Sequence, residues 1–408
     1  MQALSRLLLA TSIVGLFGCV GCGTAGTKGP VVAGTGATSA GPGAPPPTIK
    51  AQIAPTDDDP GGTAQEVFDR GKLLLGAGKA KEARPLFDRV VAAEQAEGSG
   101  TTALGRAAAY NGALASEALD LPLDARDRFR KLALSAPETP DAIDANLRRA
   151  RLDVELEDYD DLGKASSALL ARVDLADWDR AETFAYQALA AIRAGDLPAA
   201  TKVLGQANKI LDRKGPNGED LHPPPHNAAA VYFARGELVR AESLAIVFVP
   251  KDGPPLAPAD FPVKMEARCQ KILDAQDAYI DAINTKEVHW AVRGGLRVAS
   301  MYIALHDDVL AIPPPKSAST DKKKALFRGA MRLRYRILLE KGLSTLEHTL
   351  NLEKAVGAKG TWLEQARKAK ATLDQQLAEE KAEIAKLPYT EAELQKAFED
   401  LSGKTAKT

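Results

Sequence analysis

The chain has 408 residues and a formal net charge of -1, from 53 Lys and Arg against 54 Asp and Glu. Its length fits roughly two to three domains or one long repeat array, and its balanced charge excludes a general nucleic-acid binder, which needs a basic excess. Only 3 Cys exclude a disulfide-stapled scaffold, and 5% aromatics leave Ala, Leu and Val to build the core.

Residues 1–18 read as an export signal. Arg6 and the N-terminus form a short positive region, and the apolar run Leu7 to Phe17 is shorter than the roughly 20 residues of a membrane span. The run ends at Leu16-Phe17-Gly18-Cys19, which resembles the lipobox of bacterial lipoproteins. Cys19 is the expected lipidated residue, because Leu16 supplies the apolar side chain three positions before it. Cys22 is the alternative, with Cys19 at that position instead, and a plain secretory cut is a third reading. The attached lipid is then the expected link to the membrane.

Residues 19–62 are expected to be a lipidated Cys followed by a disordered tether. Gly34-Thr35-Gly36, Gly41-Pro42-Gly43 and Pro45-Pro46-Pro47 carry no large apolar side chain with which to build a core. A flexible segment of this length spans about 35 Å root-mean-square. Asp57-Asp58-Asp59 reads as a solvated charge run ahead of the first helix.

Residues 63–249 carry an internal repeat. A small residue is followed twelve positions later by a second residue, usually Ala, and four positions on by a residue that is larger in most copies. The copies are Gly71, Ala83 and Phe87; Ala113, Ala125 and Phe129; Ala188, Ala200 and Leu204; and Ala229, Ala241 and Ala245. A degenerate copy has Ala150 and Leu162. Turns are expected at Gly78, Gly195 and Gly236. This spacing resembles the tetratricopeptide repeat (TPR), a pair of antiparallel helices that approach closely at the small residues. The first small residues are 42, 37, 38 and 41 positions apart, longer than the roughly 34 of the family.

Residues 250–262 read as a Pro-rich linker, and 263–401 as a region of longer helices at about 263–284, 286–311, 322–357 and 361–387. Pro313-Pro314-Pro315 and the Gly357–Gly360 turn separate these helices. Thr390-Glu391-Ala392-Glu393 predicts a capping box opening a last helix to Leu401, and 402–408 is read as a flexible tail. From Glu266 to about Leu373 the chain resembles the C-terminal part of TPR proteins of delta-type proteobacteria. The likeness is carried by Ala275-Gln276-Asp277-Ala278-Tyr279, Trp290 with Tyr302, and Tyr335 to Gly342 followed by Trp362. Some of that group are lipoproteins of envelope machines, including gliding motility, so the resemblance implies that setting.

No convergent catalytic set emerges. Gly403-Lys404-Thr405 echoes a P-loop end, but Phe398 stands where its first Gly belongs. Ser319-Thr320-Asp321-Lys322 fits S-x-x-K without its companion motifs, so Ser319 or Thr320 is read as a helix cap. His222-Pro223-Pro224-Pro225-His226 is read as a linker, because residues four apart on an extended Pro run do not share a face. His289, His306 and His348 lack metal-ligand spacing, and Cys269 falls in a core register. Arg328, Arg332 and Arg336 step by four with Lys322, Lys323, Lys324, Arg334 and Lys341 nearby, forming a basic ridge read as a solvated face or as a dock for an acidic partner.

The expected fold class is all-α: a TPR-like α-solenoid of antiparallel helix pairs followed by a bundle of longer helices. The expected function is a lipid-anchored, non-enzymatic scaffold for envelope proteins, at the outer membrane and facing the periplasm. No cofactor, metal, nucleic acid or small-molecule substrate is expected. An outer-membrane protein assembly factor and an enzyme acting on peptidoglycan are the alternatives.

Overall fold

The computed structural model describes residues 52–56, 59–96, 102–250, 260–356 and 361–401. The export signal, Cys19, Cys22, tether residues 23–51, the Gly357–Gly360 turn, Gly403-Lys404-Thr405 and the tail 402–408 lie outside the described residues. Among the described residues there are 14 helices and one two-stranded hairpin, so the fold is all-α. None of these helices is long and apolar enough to cross a membrane. Packing divides the chain into two units, one within 21–190 and one within 191–408.

The first unit opens with a hairpin, β1 (Gln52–Ile53) antiparallel to β2 (Gly62–Thr63), with Gln52 opposite Thr63. Ile53 is buried in one cluster with Val67, Phe87 and Val90. The Asp59 carboxylate accepts hydrogen bonds from Arg70 at 2.8 Å, Arg89 at 2.6 Å and the Gly61 amide at 3.2 Å. Arg70 also donates to the Gly61 carbonyl at 2.8 Å, and Arg89 donates to that of Ala54. Burial raises the Asp59 pKa, but these donors outweigh it and hold the carboxyl below the usual range. Asp59 is therefore a buried anchor rather than part of a solvated run, and residues 52–56 and 59–62 clasp the first helix pair. Spacing alone did not show this, because both arginines lie beyond the tether on the helices it docks against.

The helices that follow are α1 (Ala64–Gly76), α2 (Ala80–Ala96), α3 (Ala103–Ala118), α4 (Pro122–Ser135), α5 (Pro140–Glu155), α6 (Tyr159–Leu170) and α7 (Asp177–Arg193). Thr63 and Glu66 form a reciprocal capping box at the start of α1. Helices α1 and α2, α3 and α4, and α5 and α6 pack as pairs, and α1, α3 and α5 also pack in succession, as in a helical repeat. Ala83, Ala113, Ala125, Ala150 and Ala188 are fully buried, as are Phe87 and Phe129. A Cβ on Gly71 would lie 2.8 Å from the Phe87 ring, so the helices meet there at glycine-only range.

The turns share one geometry. Gly78, Asp120, Glu157 and Gly195 each stand seven residues after the first small residue, with φ of 78°, 59°, 56° and 82°. In each, the amide after the turn residue closes a 6→1 bond, as from Lys79 to Leu74, Leu121 to Ser116, Asp158 to Asp153 and Asp196 to Ala191. Gly was the expected turn residue, and only two of these four have it. Lys286, with φ 63°, takes the same conformation in the second unit. Because left-handed backbone costs a non-Gly residue about 1–2 kcal/mol, Lys286→Gly is expected to raise the melting temperature by about 2 °C. A thermal melt checks this.

The second unit contains α8 (Leu197–Leu211), α9 (Pro225–Leu244), α10 (Asp260–Asn284), α11 (Val288–Leu310), α12 (Asp321–Val356), α13 (Thr361–Ala385) and α14 (Glu391–Leu401). Ala200 and Ala229 are fully buried. The expected turn at Gly236 does not form, because α9 runs through it without a break. A Cβ on Gly236 would lie 2.6 Å from the Tyr279 ring of α10, so this glycine permits close helix contact instead of a turn. The second half of that repeat copy is accordingly absent, with Ala241 half-buried and Ala245 exposed. The residues around 250–262 join α9 to α10, which pack closely, so they connect two helices of one unit rather than two domains.

Phe233 packs against Tyr279 at 5.5 Å and Trp290 at 5.0 Å between ring centroids. A separate apolar cluster joins Val292 and Leu296 of α11, Leu339 and Leu346 of α12, and Trp362, Leu373 and Leu377 of α13. The predicted long helices agree closely with the observed ones. Thr390 and Glu393 form the expected box, with the Thr390 amide donating to Glu393 at 2.7 Å and the Glu393 amide to Thr390 at 3.3 Å.

Candidate functional site

The basic ridge lies on α12, and two of its three arginines meet carboxylates of their own unit. Arg332 pairs with Glu380 of α13 at 2.5 Å, where Glu380 is buried. Arg336 pairs with Glu340 at 3.1 Å and with Glu391 of α14 at 4.0 Å. Arg328 is exposed and has no ion-pair partner among the described residues. Helices α13 and α14 pack along α12, so Arg332 and Arg336 help hold the bundle together, while Arg328 stays exposed. Reversing Arg332 would set a new carboxylate against Glu380, so Arg328→Glu is the cleaner surface test.

Buried and half-buried ionisable groups form networks between helices. In the first unit, Arg128 bridges Asp88 at 2.5 Å and Asp124 at 2.8 Å, and Arg106 reaches Asp141 at 2.7 Å. Arg151 grips the fully buried Glu182 with two bonds, at 2.8 and 3.1 Å, and the Tyr186 hydroxyl donates to the same carboxylate at 2.5 Å. Burial, followed by the Glu182 charge, pushes the Tyr186 hydroxyl well above its usual range, so it remains a protonated donor.

In the second unit, Glu237 accepts from the Tyr279 hydroxyl at 2.5 Å and from Arg240 at 3.0 Å, with Arg297 Nε 3.0 Å away. Arg293 stacks between Trp290 and Trp362, 5.0 and 4.7 Å from their centroids. Spacing did not show these networks, because each partner lies on another helix. The available sign was a carboxylate set between a small and an apolar residue, as in Gly236-Glu237-Leu238.

Asp153, Asp158 and Asp161 bring carboxylate oxygens within 4.8 Å of one another at the α5–α6 turn. Arg126 reaches Asp158 at 3.0 Å, while Arg149 and Arg130 reach Asp161 at 2.9 and 3.4 Å. Three guanidiniums balance three carboxylates, so the cluster is an ion-pair network rather than a cation site. Asp153 is fully buried, with Arg149 Nε at 3.6 Å and Arg126 Nε at 4.0 Å. Burial, with Asp161 and Asp158 alongside, pushes its carboxyl up to about 7 against the pull of the arginines.

A folded-state pKa above the ordinary 3.8 means that charged Asp153 opposes folding. Its contribution to stability is fully present below that value and is lost as pH rises through about 7. Asp153→Asn is therefore expected to gain stability relative to wild type between pH 5 and pH 8, measured by urea melts. Parallel pH profiles for the two proteins would contradict this.

The remaining sequence candidates are dispersed. Burial pushes the Cys269 thiol up to about 12, with the Glu266 charge adding to the effect, so it is a protonated core thiol near neutral pH. Thr320 caps α12 by accepting from the Lys323 amide at 3.2 Å. Pro225 and His226 open α9 rather than lying in the loop, as suits Pro at a first helical position. His306 is buried with Nδ1 3.1 Å from Asp307, and His348 Nδ1 lies 2.6 Å from the Ser344 carbonyl.

No protein-family model matches this chain, and no curated protein is similar to it. Among solved structures, it is similar to a tetratricopeptide repeat protein from Parabacteroides merdae, with 12% identity over 76% of this chain and 98% of that one and a TM-score of 0.36. It is also similar to a monomeric IFIT1 mutant with m7Gppp-AAAA, at 14% identity over 85% and 73% of the two chains and a TM-score of 0.39. A third is the P58(IPK) TPR domain, at 14% identity over 78% and 99% and a TM-score of 0.23.

Proposed function

We propose that this protein is a lipid-anchored helical-repeat scaffold that holds other proteins together at a bacterial cell envelope, on the periplasmic face of the outer membrane. The observation that carries the scaffold reading is the seam of small residues. Ala113, Ala125, Ala150, Ala200 and Ala229 are fully buried, and the helices that carry them pack against their neighbours within each unit. Such stacking presents long side-chain faces to partners. The buried charges support it, because they pair with one another across helices and so are committed to holding the repeats together.

The anchor rests on Leu16-Phe17-Gly18-Cys19 at the end of an apolar run, with a Gly- and Pro-rich tether after it. Labelled fatty acid is expected to enter the wild type and be lost in Cys19→Ala. Loss only in Cys22→Ala moves the cleavage site, and loss in neither removes the anchor. Deleting the protein is expected to mislocalise other envelope proteins, and an unchanged envelope would overturn the scaffold reading.

A further inference from the structure

On α10, Asp274, Asp277 and Asp281 are all exposed and recur at i, i+3 and i+7, so they share one face. Asp274 accepts from Gln270 at 2.7 Å. Asp277 and Asp281 have no hydrogen-bond or ion-pair partner among the described residues. Partial desolvation against the helix, together with repulsion from Asp274 and Asp281, raises the Asp277 pKa above its ordinary value, consistent with a charge that nothing nearby balances.

This acidic stripe runs into a groove. Where the start of α9 meets the end of α10, Pro223, Pro225, Tyr232, Asp281, Asn284 and Thr285 line an open cavity of about 340 Å³. Its lining joins the two prolines and Tyr232 to the Asp281 carboxylate. The nearby cation Arg235 lies over Tyr232 at 5.3 Å and donates to Asn208 at 2.8 Å. The volume suits one or two side chains, at the small end of binding clefts. Pro223 and Pro225 of the His222–His226 run, read from sequence as a linker, thus line it.

We propose that this stripe and groove bind an extended peptide segment of a partner protein, with basic residues at alternate positions and an apolar side chain seated on Tyr232 and the prolines. Charge complementarity selects the sign, since the three carboxylates call for Lys or Arg. Helix geometry selects the spacing. Asp277 and Asp281 are four residues apart, or about 6 Å along the axis, and alternate side chains of an extended peptide recur on one face at about 6.6 Å. Successive basic residues then meet successive aspartates, and the next side chain passes Asp281 into the groove. The proposal deepens the scaffold reading and rests on it by naming the chemistry of one partner.

The test is fluorescence anisotropy of the full chain with a labelled peptide of about ten residues, alternating Lys and Ala and carrying one Phe. Saturable binding that weakens with salt is expected, because exposed charges are screened within about 8 Å at physiological ionic strength. Asp277→Lys with Asp281→Lys is expected to weaken it about tenfold or more. Asp277→Asn with Asp281→Asn is expected to fall between the two, and a Glu-for-Lys peptide is expected not to bind. Both positions are exposed, so circular dichroism and melting are expected to remain as in wild type. No binding, or binding indifferent to charge reversal, overturns the proposal. So does a change of oligomeric state on reversal without loss of peptide binding, which would make a second copy the occupant. The scaffold reading is judged separately by the deletion strain, so the two can fail independently.

Discussion

Replacing Glu237 with Gln is expected to destabilise the 191–408 unit by about 3–5 kcal/mol, the usual cost of breaking a buried ion pair from one side. Glu237 is 5% exposed and gathers three groups from three helices: Arg240 of α9 at 3.0 Å, Arg297 of α11 at 3.0 Å and the Tyr279 hydroxyl of α10 at 2.5 Å. The amide would leave two guanidiniums without their counter-charge and keep only part of the hydrogen bonding. Burial raises the Glu237 pKa, but Arg297, Arg240 and Tyr279 outweigh it and hold the carboxyl below the ordinary 4.5. Its contribution is therefore present above that value and is lost as pH falls through the lowered folded-state pKa. Urea melts should show a large deficit for Glu237→Gln at pH 7 that narrows under acid. A deficit below about 1 kcal/mol at pH 7, the range of an exposed pair, would show that the network does not hold these helices.

The second large effect is expected at Gly236. In an ordinary helix interior, Gly→Ala stabilises by about 0.5–1 kcal/mol. Here the added Cβ would lie 2.6 and 2.8 Å from two Tyr279 ring atoms. That ring has little room to yield, because it is fully buried, its hydroxyl is fixed to Glu237 and it packs against Phe233. Overpacking at such a site costs about 1–3 kcal/mol, so Gly236→Ala is expected to lower the melting temperature. A raised melting temperature would mean that α9 and α10 do not meet at this residue.

Gly236 also shows where reading the chain stopped short. Seven residues after a small residue, Gly78 and Gly195 make turns, and Gly236 stands at the same offset yet lies inside a helix. The spacing is local, but the outcome depends on Tyr279, 43 residues further along. The helices themselves were legible, because their apolar period and caps are local properties; the Thr390 box and the boundaries near 284, 310, 356 and 385 are examples. The left-handed turns at Asp120, Glu157 and Lys286 were not, since no glycine marks them. Asp59 looked like one of three solvated aspartates until Arg70 and Arg89 closed on it. The ridge of Arg328, Arg332 and Arg336 was visible as a stripe, but its engagement by Glu380 and Glu391 was not, because that depends on how α13 and α14 return along α12. The groove at Tyr232 was hidden for the same reason, as its walls come from α9 and α10.

The measurement that tests the scaffold account most directly is site-specific photocrosslinking in the native envelope. A photoreactive residue would be placed in turn at Leu73, Leu134, Val263 and Asp277, all exposed, in the full-length chain. A scaffold predicts discrete protein adducts of fixed mass in the membrane fraction, differing with position because each face meets its own partner. Absence of any protein adduct at all four positions, in a chain that is folded and membrane-bound, would contradict it.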